Sequence, residues 1–500
     1  MLLRTFSTAA LFVTVLSTVA GAQTPIPAIA AASKAMGVDT LTSITYSGTA
    51  RNGSFGQSKS IGDPMGPVNV TQINAYIRTI NFAPPATPDA LVSRATGTTV
   101  PPTVPGAPSP TPGVFNQNIT GTQASGGWTQ ALNIWTTPWG FVKGAANAAP
   151  NSITLRQEGG QQVIAYSPAN LKSPSGQAYL VTGYLDNQNL VTKVETRVEN
   201  AVVGDLPVVF EYSNYQNLNG VQVPTRIAQR QAGLLTFDAN IMAATPNPQN
   251  LTQLLTSPAP AAPAAGVAPQ PAAPAAPAAP PAVEAQMLGP GAFKITGNYT
   301  SLALDMGDHI LVVESGGSDA RGLEVMAAAK RAIPNKPVRF VVNSHPHFDH
   351  ASGLAAAVAE GATILTHRNN EPVLEQLLAG PRTLTGDSLS KVTNRRTNVV
   401  EAVADRDVRR GTNGKVVELH HVVNEHSDGM LAVYLPAEKA LWTADVTVVN
   451  PTPAQLGIVR SVVQEVNRLN LDYNSWIPAH PPNPDRPLTK ADVTAAAGAN

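Results

Sequence analysis

The sequence contains no cysteine, and this absence excludes several kinds of site at once. Without a thiol the chain cannot form a disulfide, a thiolate metal site, a cysteine nucleophile or a lipid-modified N-terminal cysteine. Any metal ion must therefore be held by histidine and carboxylate side chains.

Charged residues are also scarce, at 13% of the chain, and the two signs balance at 33 residues each. A balanced chain has no overall field that would draw it onto a polyanion, so we expect no nucleic-acid partner. Aromatic residues make up only 5%, but hydrophobic residues reach 43%, which is enough for globular cores. A length of 500 residues is too great for one ordinary core and predicts at least two domains.

The N-terminus has the order of a secretory signal. A basic start, Met-Leu-Leu-Arg, is followed by the apolar stretch from Ala9 to Val19 and by the small residues Ala20-Gly21-Ala22. The apolar stretch is shorter than the ~20 residues that a spanning helix needs, which favours cleavage over a membrane anchor. We therefore expect residues 1–22 to be a signal peptide, the mature chain to have no membrane span, and the protein to be periplasmic or secreted.

Nine of the 44 prolines lie in one short stretch of the sequence. From Pro258 to Pro281 the sequence is almost entirely Ala and Pro, and repeated proline fixes φ and removes backbone donors. Residues 257–284 are therefore predicted to be a semi-rigid linker. It would join a first domain, residues 23–256, to a second, residues 285–500, and its length predicts that the two halves move independently.

Residues 23–256 are predicted to form a β-rich domain of unknown function, because short runs of Val, Tyr and Thr alternate with Asn, Gly and Pro clusters. Residues 178–185 with 190–198, and 208–212 with 221–224, are predicted hairpins. The tract 84–112 shows no periodicity and is predicted to be a surface loop or a disordered insertion. The hairpin after Tyr212 resembles the curved half-barrel of periplasmic lipoprotein carriers, which suggests a lipid or envelope ligand; a generic antiparallel sheet domain is the alternative.

All nine histidines lie between His309 and His480, and three of them fall in the six-residue string from His345 to His350. The string follows the apolar run 338–342, which predicts a loop at the end of a strand, where side chains can converge on a ligand. His345 and His347 are two positions apart in an extended segment and so point the same way. Paired imidazoles suit a divalent metal ion and favour zinc. Alternating strand-like and helix-like runs over residues 285–500 predict a layered α/β domain around this string.

The string reads His-x-His-x-Asp-His and so resembles the signature of the metallo-β-lactamase superfamily. Three later segments resemble further motifs of that family, namely residues 424–429, 442–445 and 477–480. The resemblance implies an αβ/βα sandwich that binds two zinc ions at the loop-bearing edge of its sheets, with iron or manganese left open as the metal. It assigns the metal ligands as His345, His347 and His426 for the first ion, Asp349, His350 and His480 for the second, and Asp445 as the bridge.

Two features depart from the family pattern. Glu314 stands where many members end the first motif strand with aspartate. Ala444 and Ala479 stand where glycine often precedes the bridging aspartate and the last histidine. The other histidines, among them His420 and His421, are predicted to be structural or exposed, and His367 is the one that could lie near the mouth of the site.

Two metal ions roughly 3.5 to 4 Å apart can share one water and lower its pKa, which supplies a hydroxide nucleophile at ordinary pH. Asp349 and Asp445 are the predicted catalytic residues, because they would hold and orient that nucleophile. Lactamases of this fold commonly lack an aspartate at position 445, so the resemblance favours a small-molecule ester, lactone or related acyl compound as substrate. The alternatives are β-lactam hydrolysis, an iron-bound redox enzyme of the same fold, and an envelope- or lipid-binding protein with an auxiliary metal domain.

Overall fold

The computed structural model describes residues 26–84, 87, 90–103, 109–120, 128–169, 171–256, 283–446 and 453–498. The predicted signal peptide and nearly all of the predicted linker lie outside these residues. Within the described ranges, no helix has both the length and the apolar character needed to cross a membrane.

The N-terminal half is built on one 11-stranded antiparallel sheet, in the order β4-β3-β2-β1-β11-β10-β9-β8-β7-β6-β5. The chain runs outward from β1 to β4, resumes at the far edge and returns to pair its last strand with its first. The strands are β1 (Ser43–Asn52), β2 (Thr71–Asn81), β3 (Leu91–Val100), β4 (Gly113–Thr120), β5 (Thr154–Glu158), β6 (Gln161–Tyr166), β7 (Val181–Leu185), β8 (Val191–Asn200), β9 (Gly204–Leu218), β10 (Val221–Gln231) and β11 (Leu234–Pro246).

Four helices accompany this sheet: α1 (Pro27–Met36), α2 (Trp128–Trp135), α3 (Pro138–Asn147) and α4 (Leu251–Leu255). Proline at the first position favours the starts of α1 and α3, since its missing N–H has no helical partner there. The Thr137 side chain caps α3 by accepting from the Gly140 amide at 3.1 Å. The ring of Trp139 packs against Tyr46 of β1, so this helix contributes to the core on one face of the sheet.

The first predicted hairpin is confirmed as the antiparallel pair β7–β8. The second is present as β9–β10, but there residues 208–212 pair with 227–231 and not with 221–224. The loop prediction for residues 84–112 is wrong where β3 runs through it. Val92 and Ala95 of that strand are buried, and the strand pairs with β2 and β4. Its Thr- and Ser-rich composition hides a strand because cross-strand pairing, rather than a hydrophobic pattern, stabilises it.

The C-terminal half has two sheets packed face to face, which confirms the predicted sandwich. The first contains β12 (Ala285–Gly289), β13 (Ala292–Ile295), β14 (Ser301–Asp305), β15 (Ile310–Val313), β16 (Val338–Val342), β17 (Thr363–His367) and β18 (Val400–Val403). The second contains β19 (Arg406–Arg410), β20 (Val416–His421), β21 (Leu431–Leu435), β22 (Ala440–Thr443) and β23 (Ser475–Pro478). One buried cluster, with members such as Leu304, Val342, Val433 and Trp442, lies between the two sheets.

Helices cover the outer faces of this sandwich. On the first sheet they are α5 (Asp319–Ala332), α6 (Phe348–Ala351), α7 (Leu354–Ala359) and α8 (Glu371–Leu378). On the second they are α9 (Pro453–Leu469) and α10 (Lys490–Ala497), whose buried residues form a separate core with β21 and β22. Two short 3-10 helices lie at Pro150–Ser152 and Leu389–Lys391.

The prediction of independently moving halves is wrong. A single buried cluster contains side chains from the N-terminal sheet and from the outer layer of the C-terminal sandwich. The buried Arg382 side chain donates to the Val202 carbonyl at 3.0 Å, and the Asp205 carboxylate accepts from the Leu384 amide at 2.9 Å. The length of a linker sets how far two domains can separate, but here complementary surfaces hold them together.

Candidate metal centre

The seven predicted ligands all follow strands of the C-terminal sandwich. The string from His345 to His350 follows β16, His426 lies between β20 and β21, Asp445 follows β22 and His480 follows β23. Because these strand ends lie along one edge of the two packed sheets, side chains far apart in sequence converge there.

Asp445 lies at the centre of the convergence. One carboxylate oxygen, Oδ2, is 2.9 Å from Nε2 of His345, 3.0 Å from Nε2 of His350 and 3.1 Å from Nε2 of His426. The other oxygen, Oδ1, is 2.8 Å from Nε2 of His480. One aspartate therefore touches four of the five predicted histidine ligands and is placed to bridge two sites.

The ligand atoms divide into two groups, in each of which they lie within 4.8 Å of one another. Both groups match the sets implied by the family resemblance and share Asp445. The first is His345, His347, His426 and Asp445, and the second is Asp349, His350, His480 and Asp445.

The donor atoms fit a divalent cation. Nδ1 of His347 and Oδ2 of Asp445 are buried, and in the described part of the chain no contact of either atom, however close, has the geometry of a hydrogen bond. Nε2 of His345 lies 3.2 Å from Nε2 of His426, and the same distance separates His350 from His480. Buried lone pairs that converge in this way are costly unless a cation accepts them, and nitrogen with carboxylate oxygen suits zinc and similar ions.

The protonation states of several ligands also favour metal binding. Burial, with the neighbouring His350, lowers the pKa of His345 to about 4, and burial holds the pKa of His347 well below its usual value. Burial disfavours ionised Asp445, but His350 and His345 outweigh it and hold the pKa of that carboxyl well below its ordinary range. These three groups therefore present the neutral imidazole and ionised carboxylate that metal ions require.

Glu314 explains how two of the imidazoles are oriented. Its fully buried carboxylate accepts from the Ser344 hydroxyl at 2.7 Å and from Nδ1 of His350 at 3.1 Å. Ser344 Oγ in turn lies 3.1 Å from Nδ1 of His345. With Nδ1 engaged, each imidazole turns Nε2 toward the centre, as supporting hydrogen bonds do for metal-bound histidines. The glutamate that departs from the family pattern thus fills a supporting position.

Two residues at the centre were not predicted from the sequence. Nε2 of His347 donates to the Ser58 carbonyl at 3.0 Å, and the Gln57 amide donates to Oδ1 of Asp349 at 2.7 Å. Both belong to the loop between β1 and β2, and Gln57 is 292 positions from its partner. No local pattern around residue 57 indicates this contact. Tyr299, whose ring lies 4.9 Å from that of His480, was also missed.

His367 lies outside the seven-residue centre. Its ring stacks on His421 with a centroid distance of 3.9 Å, and Nε2 is 3.1 Å from Oδ1 of Asp405. Arg368 pairs with the same carboxylate at 2.8 Å and 2.9 Å. The negative charge of Asp405 in this cluster of His367, Asp405 and His421, the His367 group, is therefore already compensated. His420 contacts Glu418 at 3.0 Å, in agreement with a structural role.

The family model of the metallo-beta-lactamase superfamily matches residues 297–473. The 2,4-dinitroanisole O-demethylase subunit alpha of Nocardioides sp. (strain JS1661) is 25% identical over 195 residues, which is 37% of this chain and 53% of that protein. The chain therefore spans about half the length of this relative.

Among solved structures, a metallo-beta-lactamase from Pontibacter korlensis is 15% identical with a TM-score of 0.34, covering 43% of this chain and 97% of that one. One from Hirschia baltica is 19% identical with a TM-score of 0.32, covering 43% and 96%. The sec-alkylsulfatase Pisa1 from Pseudomonas sp. is 15% identical with a TM-score of 0.31, covering 43% and 41%.

The family match covers the predicted ligands from His345 to Asp445, and His480 lies beside them, in contact with Asp445. The C-terminal domain of this chain, over residues 297–473, belongs to the metallo-beta-lactamase superfamily, and this membership supports a metal-dependent hydrolase.

Proposed function

We propose that the protein is an exported hydrolase that uses two zinc ions to cleave a small ester, lactone or related acyl compound. The observation that carries the proposal is the position of Asp445, which contacts four imidazoles and belongs to both ligand groups. Bound zinc would supply Lewis-acid chemistry, lowering the pKa of a water and polarising an oxygen of the substrate. The export rests on the signal-like N-terminus alone.

The two aspartates have different parts in this proposal. The side chain of Asp445 is 14% exposed and orients the surrounding imidazoles. The side chain of Asp349 is 35% exposed, so it faces the solvent side of the centre and would accept a proton from the attacking water. Burial opposes ionisation of Asp349, yet its hydrogen bond with His350 keeps its pKa below the usual range, so the group is ionised, which is the form that can accept a proton.

β-Lactam hydrolysis is the alternative reaction at the same centre. Asp445 contacts the imidazoles as a metal ligand would, and lactamases of this fold commonly lack an aspartate at this position. The presence of Asp445 therefore favours acyl substrates other than β-lactams. The sequence relative is named for O-demethylation of 2,4-dinitroanisole, an activated aryl ether. A substrate panel should therefore contain a lactone, a thioester, a nitrophenyl ester, nitrocefin and this aryl ether.

The test compares turnover of the panel by the wild type, Asp349→Ala and Asp405→Ala. We expect Asp349→Ala to lower kcat by about 100-fold or more on the preferred substrate, since it removes proton transfer at the centre. Asp405→Ala is the matched control, because this carboxylate lies in the separate His367 group, and it should retain wild-type turnover. Wild-type kcat in Asp349→Ala would refute the assignment.

A second candidate function belongs to the N-terminal domain. A cavity of about 200 Å³ contains the Arg78 side chain, which is only 7% exposed and whose described partners Asn133 and Ser93 are neutral. Its aromatic lining is Tyr46, Tyr76, Phe115, Phe210, Tyr212 and Phe237. A buried cation without a counter-charge is costly, which favours an anionic ligand with an apolar body, such as an acidic lipid of the envelope.

Binding of decanoate and of decanol to the full chain, measured by calorimetry, tests this second function. We expect the wild type to bind decanoate at least about 10-fold more tightly than decanol, because only the carboxylate can pair with Arg78. The Arg78→Met variant should lose this preference. Equal affinity of the wild type for both compounds would contradict the proposal.

A further inference from the structure

The loop between β1 and β2, residues 53–70, is the part of the N-terminal domain that meets the metal centre. Four successive residues of this β1–β2 loop contact the metal-binding motifs. The Gly56 carbonyl accepts from the Phe348 amide at 2.9 Å, and the Lys59 carbonyl accepts from the Asp428 amide at 2.9 Å. The Lys59 ammonium pairs with Glu425 at 3.0 Å, beside His426. Gln57 contacts Asp349 of the second ligand group and Ser58 contacts His347 of the first, so the loop reaches both groups.

The Ser58 contact determines which nitrogen of His347 is free. An imidazole that donates through Nε2 keeps its lone pair on Nδ1. Nδ1 of His347 is buried and lacks a hydrogen-bond partner within the described ranges, so with Nε2 bonded to Ser58 it is the nitrogen left to join the first ligand group. A backbone carbonyl of the N-terminal domain therefore fixes the tautomer in which His347 can bind a metal ion.

The Gln57 contact acts on the second group. Its amide donates to Oδ1 of Asp349, while Oδ2 of the same carboxylate points to His350 at 3.3 Å. One oxygen is thus held by the N-terminal domain and the other is directed to the metal centre. The Gln57 side chain is itself exposed, so it lies at the mouth of the centre rather than in its core.

The loop is shaped to make this approach. Gly56 has φ +75°, and a Cβ at this position would lie 2.4 Å from the ring of Phe348. Phe55 packs edge-on against that ring at 5.3 Å. Within the loop, the Asn69 side chain accepts from the Lys59 amide at 3.0 Å and donates to the Asp63 carbonyl at 2.9 Å. The loop is therefore internally ordered and has no space for a larger residue at its contact point.

We propose that the N-terminal domain is a working part of the metal centre, in which Ser58 and Gln57 are positioning residues that hold His347 and Asp349 as ligands. The inference rests on the proposed metal-dependent function and deepens it: the affinity of the centre for zinc depends on a loop from the other domain. The loop contributes to metal binding without supplying a ligand of its own.

The test measures zinc affinity of the full chain by competition with a chelating dye, with Zn²⁺ alone as the probe. The d–d absorption of the Co²⁺-substituted protein provides a second readout of ligand geometry. The variants are Gly56→Ala, which should displace the loop from Phe348, and Gln57→Ala, which removes one hydrogen bond and leaves the backbone unaltered. Gly62→Ala is the matched control, since a Cβ at that position meets nothing within 4 Å.

We expect both Gly56→Ala and Gln57→Ala to bind zinc about 10-fold or more weakly than the wild type, as loss of supporting hydrogen bonds around a metal site does. Their Co²⁺ spectra should shift, and Gly62→Ala should match the wild type in both readouts. If all three variants match a zinc-binding wild type, this inference is overturned and the proposed function stands. If the wild type itself binds no zinc, the proposed function fails and the inference fails with it.

Discussion

Asp445 lies at the centre of the predicted ligands and has a strained backbone conformation. Its φ is +48°, a left-handed conformation that residues other than glycine seldom adopt. Its carboxylate is held among four imidazoles, so this conformation aims both oxygens at the centre. Glu314, which hydrogen-bonds the ligand His350, also has a left-handed backbone conformation, with φ +67°. Strained residues of this kind persist where surrounding contacts determine them, and here they surround the proposed metal site.

Glu314 offers a prediction at the scale of one atom. Replacing Glu314 by Gln keeps its size but can place an amide N–H opposite Nδ1–H of His350, so two donors face each other. We expect the zinc affinity of Glu314→Gln to fall about 10-fold to 100-fold. Elemental analysis after dialysis against a weak chelator measures the loss. Glu324→Gln, an exposed substitution on α5, is the control, and equal zinc retention in the two variants would count against the supporting role of Glu314.

Glu199 predicts a pH dependence of stability. Burial raises the pKa of this carboxyl from its ordinary value of 4.5 to about 7, although Tyr179 donates to it at 2.7 Å. Because the folded protein binds this proton more tightly than the unfolded chain, the contribution of Glu199 to stability falls as pH rises from 4.5 to about 7. Urea unfolding at several pH values should show a shallower decline for Glu199→Gln than for the wild type. Identical pH profiles would show that the group is not perturbed.

At the scale of elements, short loops after strands hold the ligands, and the loop from β20 to β21 depends on one side chain. Asn424 is buried and accepts from the amides of His426 at 2.7 Å and Ser427 at 2.9 Å. Its own amide donates to the Val422 carbonyl at 2.6 Å. The loop conformation that presents His426 is therefore set from within the loop.

Asn424→Ala should leave these backbone groups without partners in a buried place. We expect the free energy of unfolding to fall by about 1 to 3 kcal/mol and zinc affinity to fall with it, since His426 would no longer be held in position. Denaturant unfolding and the dye competition measure the two effects. If the variant is destabilised but binds zinc as tightly as the wild type, the loop conformation set by Asn424 does not control metal binding.

Elements differ in how well the sequence predicts them. The metal-binding motifs could be predicted because each is short and follows an apolar strand such as β16, so the pattern and the position agree. β3 could not be predicted, because a strand rich in threonine and serine has no hydrophobic alternation to mark it. The contact of Gln57 with Asp349 could not be predicted either, since it depends on how the two halves of the chain pack against each other.

At the scale of the whole molecule, the two halves share a buried interface. Arg382 is fully buried, bonds the carbonyl of Val202 and pairs with Asp387 at 2.8 Å. Asp205 accepts from the Thr383 amide at 3.0 Å and from its hydroxyl at 2.7 Å. The Ala and Pro linker indicated separate domains, but linker composition carries no information about whether the surfaces that it joins are complementary.

This interface predicts that the halves unfold together. Removing the guanidinium in Arg382→Met would leave the buried Asp387 carboxylate without its cation and the carbonyls of Val202 and Ala201 without this donor, at a cost of about 3 kcal/mol or more. Calorimetry should show one transition for the wild type and a lower or divided transition for Arg382→Met. Arg331→Met, on the exposed face of α5, should unfold as the wild type does. A wild type that unfolds in two separate steps would contradict a shared interface.

In our proposal, five imidazoles and two carboxylates bind metal ions at the edge where the two sheets meet. Elemental analysis of the full chain, purified without chelator, tests this most directly. We expect about two equivalents of a divalent transition metal per chain, zinc above all, and a loss of most of that metal in Asp445→Ala. A wild-type protein without stoichiometric metal would contradict it.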